Sequence, residues 1–140
     1  MIVVAIVGLL AAVALPSYRS YIIRAARIEA QTELLELASL QEKIFLNSNG
    51  YSNSVTAAYT GQSGGGLGRT SGKTKDGRYG LALNIDGDTA LANCTTVANM
   101  ATGAQTFLLV ATPVAGTAQA GDGALCVSEN GQRIWGTASW

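Results

Sequence analysis

Hydrophobic and polar positions follow three different rhythms along this chain. Met1 to Leu15 carry no charge and are apolar almost throughout, and Pro16 interrupts them. From Ser17 the rhythm is helical. Ile22, Ala26, Ala30, Leu34, Leu37, Leu40 and Ile44 recur at spacings of three and four, which lays them on one stripe. Arg19, Arg24, Arg27, Glu29, Glu33, Glu36, Glu42 and Lys43 fall mostly off it. Neither Gly nor Pro occurs from Ser17 to Asn49, and Asn47-Ser48-Asn49-Gly50 supplies a stop with Gly50 as the cap residue. The pattern predicts one helix of about 45 residues, bent or loosened at Pro16, against a usual length of about 11 or 12.

Tyr51 to Gly77 is rich in Gly, Ser and Thr and reads as a long surface loop with one short element around Val55 to Tyr59. Strand signals follow it. Arg78 to Ile85 alternates and ends at the turn Asp86 to Asp88, and Gln105 to Val114 is a continuous apolar run of core-strand type. Gly123 to Trp135 holds two short strands around Asn130-Gly131, a strong hairpin signal. The expected fold class is α+β, a long N-terminal helix packed on a C-terminal antiparallel sheet of three to four strands in meander order. Four zones result: an apolar helix over 1–16, an amphipathic helix over 17–48, a Gly/Ser-rich loop over 49–77, and the sheet region over 78–140.

Composition narrows the chemistry. The 140 residues suffice for one core, and 9 basic against 9 acidic side chains leave no long-range field to recruit a polyanion. Histidine is absent, which removes Ser-His-Asp and Cys-His catalysis and imidazole metal sites. No nucleophile, base and orienting group stand together in any pattern, so an enzyme is not expected and no cofactor or metal is implied. Cys94 and Cys126 are the only cysteines. They read either as one disulfide, which places the chain in an oxidising compartment, or as two buried thiols.

The opening segment admits three readings. A secretory signal would need a basic leading region, which Met1-Ile2-Val3 lacks. A buried core helix would need a larger domain to surround it. A transmembrane segment fits its hydrophobicity, yet fifteen helical residues reach about 22 Å against a bilayer core of about 30 Å.

MIVVAIVGLLAAVALPSYRSYIIRAARIEAQTELLELASLQEKI resembles the N-terminal helix of type IVa pilins. FLLVATPVAGTAQAGDGALCVSENGQRIW resembles the disulfide-closed end of PilE-type pilins, while the middle from about Thr56 to Lys75 resembles neither. The resemblance implies that the chain starts just after a stretch like Phe-Thr-Leu-Ile-Glu-Leu, and about six restored residues would give a segment able to span a bilayer. Gly8 and Pro16 match the glycine and proline that loosen the pilin helix, so the pilin fold implied here has a helix kinked or melted near Gly8–Pro16. It also implies a structural subunit of a bacterial type IV pilus, a helical fibre of many copies of itself used for adhesion, motility or DNA uptake. Such a subunit sits in the inner membrane before assembly, meets the pilus assembly machinery, and ends in an extracellular fibre.

Charge along the helix fits an assembly role. Arg19, Arg24 and Arg27 precede Glu29, Glu33 and Glu36, so staggered neighbours would set basic zones beside acidic ones; pairing within one helix is the other reading. Arg69, Lys73, Lys75 and Arg78 form a modest basic patch, usually a solvated loop, with nucleic acid as a weakly supported partner. A tip minor pilin binding DNA and a type II secretion pseudopilin are the alternatives; the cysteine pair counts against the second. Gly72-Lys73-Thr74 mimics a phosphate loop, but Leu67 stands where the leading glycine is needed. Asn93-Cys94-Thr95 fits a glycosylation triplet whose middle residue is a candidate for the disulfide.

Overall fold

A computed structural model of the chain describes residues 1–85, 94 and 105–140. One helix, α1 (Ile2–Ser48), precedes five strands: β1 (Tyr79–Ile85), β2 (Phe107–Pro113), β3 (Leu125–Ser128), β4 (Arg133–Trp135) and β5 (Ala138–Ser139). The strands pair in chain order, all antiparallel. The sheet therefore exceeds the expected count by β5, two residues too short to leave a periodic signal. The expected turn at Asp86–Asp88 and the triplet beginning at Asn93 lie outside the described residues.

The helix runs unbroken through Gly8 and Pro16, so the single chain shows no melted stretch there. Among the described residues no helix is long and apolar enough to cross a membrane. Its C-terminus differs from expectation by one position. Asn49, not Gly50, takes the left-handed conformation (φ 52°), with its N–H donating to the Phe45 carbonyl at 2.8 Å. Asn is one of the few residues that accept this conformation, and Gly50 is buried behind it.

The predicted stripe packs on the sheet. Ala30, Leu34, Leu37 and Ile44 meet Tyr79, Leu81 and Leu83 of β1, Phe107, Leu109 and Ala111 of β2, and Leu125 and Val127 of β3 in a buried layer, and Ala26 is buried as well. The intervening residues of β2 and β3 face the other way. There Leu108, Val110 and Cys126 form a second cluster with Cys94, which the Cys94–Cys126 disulfide holds over the sheet across a separation of 32 residues. The helix on one face and Cys94, bonded to Cys126, on the other explain why β2 reads as a continuous apolar run rather than an alternation.

Polar side chains fasten the layers. Gln41, fully buried on the helix stripe, receives the Ser52 N–H and donates to the Ser52 carbonyl, both at 2.9 Å. At the other end of the head, Arg27 of α1 forks onto the carboxylate of Asp122. That carboxylate also accepts from the Tyr79 hydroxyl and the Gln119 amide, each at 2.6 Å. Gln119 donates in turn to the Ile23 carbonyl at 3.2 Å, and the Arg27 guanidinium lies 3.6 Å from the centre of the Trp135 ring. Burial pushes the Asp122 carboxyl up, but the bonds from Arg27, Tyr79 and Gln119 outweigh it and hold its pKa below the usual value. Burial and the Asp122 charge both push the Tyr79 phenol up, so it stays a donor. Nothing in the local sequence marks Asp122 or Gln119, because apart from each other the partners of their side chains stand forty or more residues away in the chain.

Candidate nucleic-acid interface and assembly surface

The Gly/Ser-rich loop is folded by backbone hydrogen bonds without a regular element, which corrects the short element expected around Val55 to Tyr59. Leu67 N–H donates to the Ser54 carbonyl, Gly68 to Ala57 and Gly66 to Ala58, all at 2.9 Å, and Arg69 to Val55 at 3.1 Å. Val55 and Leu67 point into the core and anchor the loop. The two arms approach so closely that a Cβ at Gly66 would overlap the Ala57 carbonyl, which explains the glycine at that position.

The chain then doubles back against β1. Leu81 N–H donates to the Gly72 carbonyl at 2.8 Å and Thr74 N–H to the Tyr79 carbonyl at 2.9 Å, with Gly77 turning at φ 71°. A shallow groove of about 320 Å³ lies along 68–75, bordered by Arg69, Thr70, Ser71, Lys73 and Lys75. Three of the four residues of the predicted basic patch thus line one groove, and Arg78 stands beside it.

Their charges are not equally available. Arg69 pairs with Glu33, which is 3% exposed, and the other oxygen of Glu33 accepts the Lys75 backbone N–H at 2.9 Å. Arg78 lies 3.6 Å from Asp76. Lys73 and Lys75 are exposed, and among the described residues neither ammonium has an acidic partner. Among the described residues, four cations against two carboxylates leave a local excess of two positive charges, both on lysines facing water. The groove offers charge and hydroxyls and no aromatic platform, which suits phosphate oxygens better than stacked bases.

A second surface lies along α1. Met1, Ile2, Val3, Val4, Leu9, Leu10 and Leu15 all stand open, each more than half exposed. The exposed apolar positions continue past Pro16: Tyr21, Ile28 and Leu35 follow Val7 at multiples of seven residues. Apolar surface of this extent belongs to an interface, because water penalises it at roughly 25 cal/mol per Å².

The expected intersubunit charges separate into two groups. Arg27 and Glu33 are engaged inside the chain, by Asp122 and Arg69 respectively, which removes them from the set free to meet a neighbour. The cause is tertiary: both sit on the flank of the buried stripe. Arg19 is exposed, Glu29 is half-buried, and Arg24 donates back to the Ser20 carbonyl of its own helix at 3.3 Å.

A bare apolar helix end, a helix half laid across an antiparallel meander, and a disulfide-closed C-terminal region together define a type IV pilin, a structural rather than an enzymatic class. The match to a family model is more particular. The family described as "Type IV minor pilin ComP, DNA uptake sequence receptor" matches residues 16–128, and the chain belongs to it. No curated protein matches the chain. The matched span begins at Pro16 and takes in the amphipathic helix, the groove, β1, β2 and β3.

Proposed function

We propose that this chain is a minor subunit of a bacterial type IV pilus that holds DNA at the fibre surface through the groove between Arg69 and Lys75. The observation that carries this reading is the pair of exposed, uncompensated ammoniums of Lys73 and Lys75 in a hydroxyl-lined groove. The family's description as a DNA uptake sequence receptor supports it. Two free cations release about two counterions, so the logarithm of the binding constant falls with log salt at a slope of about −2. The double variant K73A/K75A, measured by fluorescence anisotropy on duplex DNA with the full chain in detergent, loses nearly all of that slope and binds at least about tenfold more weakly at low salt. Unchanged binding would end the proposal.

The apolar half of α1 supports incorporation into the fibre. Before assembly it rests in the inner membrane; afterwards it is covered by the helices of other pilins, so the same surface avoids water in both places. Arg19, Arg24 and Glu29 set the register with neighbours, and the Gly8–Pro16 stretch loosens on packing, where Pro16 already lacks one backbone donor. Pro16→Ala removes that weak point. Cells carrying it show at least about tenfold less of this subunit in sheared fibres by immunoblot, with unchanged total protein; wild-type amounts would discredit the loosening.

A further inference from the structure

Glu33 is the one acidic side chain that reaches the groove from the helix, and it does two things at once. It receives the Arg69 guanidinium, whose side chain is 17% exposed, and the Lys75 backbone N–H at 2.9 Å. The first contact withdraws a cation from the groove lip. The second fixes the backbone from which one of the two free ammoniums projects. Arg69 is meanwhile held by its own backbone, with its N–H on the Val55 carbonyl at 3.1 Å, so only its side chain is free to change partner.

We propose that Glu33 is a built-in competitor for phosphate: it occupies Arg69 and thereby sets how strongly and how indiscriminately the groove binds a polyanion. This inference rests on the DNA-binding reading above. A carboxylate at Glu33 and a backbone phosphate are chemically similar acceptors for the same fork of guanidinium donors. With Glu33 on Arg69, the groove presents two cations, a weak hold that leaves the rest of an interface to decide which DNA is kept. With its charge removed, Arg69 becomes a third cation. Gln in place of Glu33 keeps an oxygen for the Lys75 N–H but turns an N–H donor toward the guanidinium, so two donors face each other and Arg69 is driven outward.

The test is the salt dependence of duplex binding by the full chain in detergent, for Glu33→Gln, Arg69→Gln and the double variant. Glu33→Gln is expected to steepen the slope by about one and to tighten binding about threefold to tenfold at 0.1 M salt, since each added phosphate contact contributes about 0.9 to the slope. Arg69→Gln leaves the buried Glu33 carboxylate without its counter-charge beside the two lysines, so its binding weakens and its slope does not rise above that of the wild type. The double variant E33Q/R69Q removes one charge of each sign and returns to the wild-type slope, and its amide pair preserves the volume of the site should either single variant fold poorly. A slope unchanged in Glu33→Gln, while the wild type and K73A/K75A differ as proposed, overturns the role of Glu33 and leaves the groove standing. Wild-type DNA binding insensitive to K73A/K75A overturns the groove itself.

Discussion

Replacing Asp122 with Ala lowers the unfolding free energy by about 3 to 5 kcal/mol, a large part of the 5 to 15 kcal/mol typical of a small domain. The side chains of Asp122 and Arg27 are 7% and 19% exposed, so the substitution leaves a guanidinium against Trp135 without its counter-charge. It also strips the acceptor from the Tyr79 hydroxyl and the Gln119 amide, the latter fully buried. Three segments meet at this carboxylate, α1, β1 and the 114–123 loop that carries it, and the Trp135 indole N–H of β4 holds the backbone carbonyl of the same residue. Urea unfolding of the full chain in detergent, followed by tryptophan fluorescence, checks the figure. A change below about 1 kcal/mol would mean that the network is no more than a surface ion pair.

Acid gives the same contact a second signature. The Asp122 pKa is lower in the fold than its ordinary value of 3.8. A depressed carboxylate contributes stability that is complete above the unfolded value and is lost as pH falls through the folded one. The wild type therefore loses stability progressively below about pH 4, and Asp122→Asn lacks that component of the acid limb. An acid limb of equal depth in both proteins would remove the carboxylate from the explanation.

Reducing the Cys94–Cys126 disulfide costs about 4 kcal/mol in the chain-entropy account, because it frees a loop of 32 residues in the unfolded chain. The folded state suffers too. Cys94 is 5% exposed and covers Leu108 and Val110 on the sheet face away from the helix. Without the bond, that cover must be held by packing alone. Denaturation with and without reductant, with C94A/C126A as a non-reducible reference, measures the loss. Midpoints that coincide would show that the fold is held without its cross-link.

Much of the architecture was legible as periodicity. The helix from Ala26 to Ile44 followed from apolar spacing alone, and the apolar run at Phe107 to Ala111 announced a strand covered on both faces. Asn130-Gly131 marked the turn between β3 and β4, where Gly131 stands at φ 78°. Gln41 and Glu33 were visible only in part. Gln41 falls on the buried stripe and Glu33 beside it, but polarity argued against burial until Ser52 and Arg69 supplied partners from the loop. The helix is continuous through Pro16, where the sequence led one to expect it bent or loosened. In an otherwise apolar helix, one missing hydrogen bond is a local cost that the turns on either side outlast.

Amino-acid order by itself determined the elements and their faces, because the spacing of apolar residues states which side of a helix or strand must leave water. It also determined the exposed apolar end of α1, the single cysteine pair and the location of the basic loop. Which cations remain free was decided only in three dimensions. Arg27, Arg69 and Arg78 find Asp122, Glu33 and Asp76 there, while Lys73 and Lys75 find none among the described residues. Charge acts through space rather than along the chain, so pairs separated by 36 and 95 residues leave no pattern for a sequence to display.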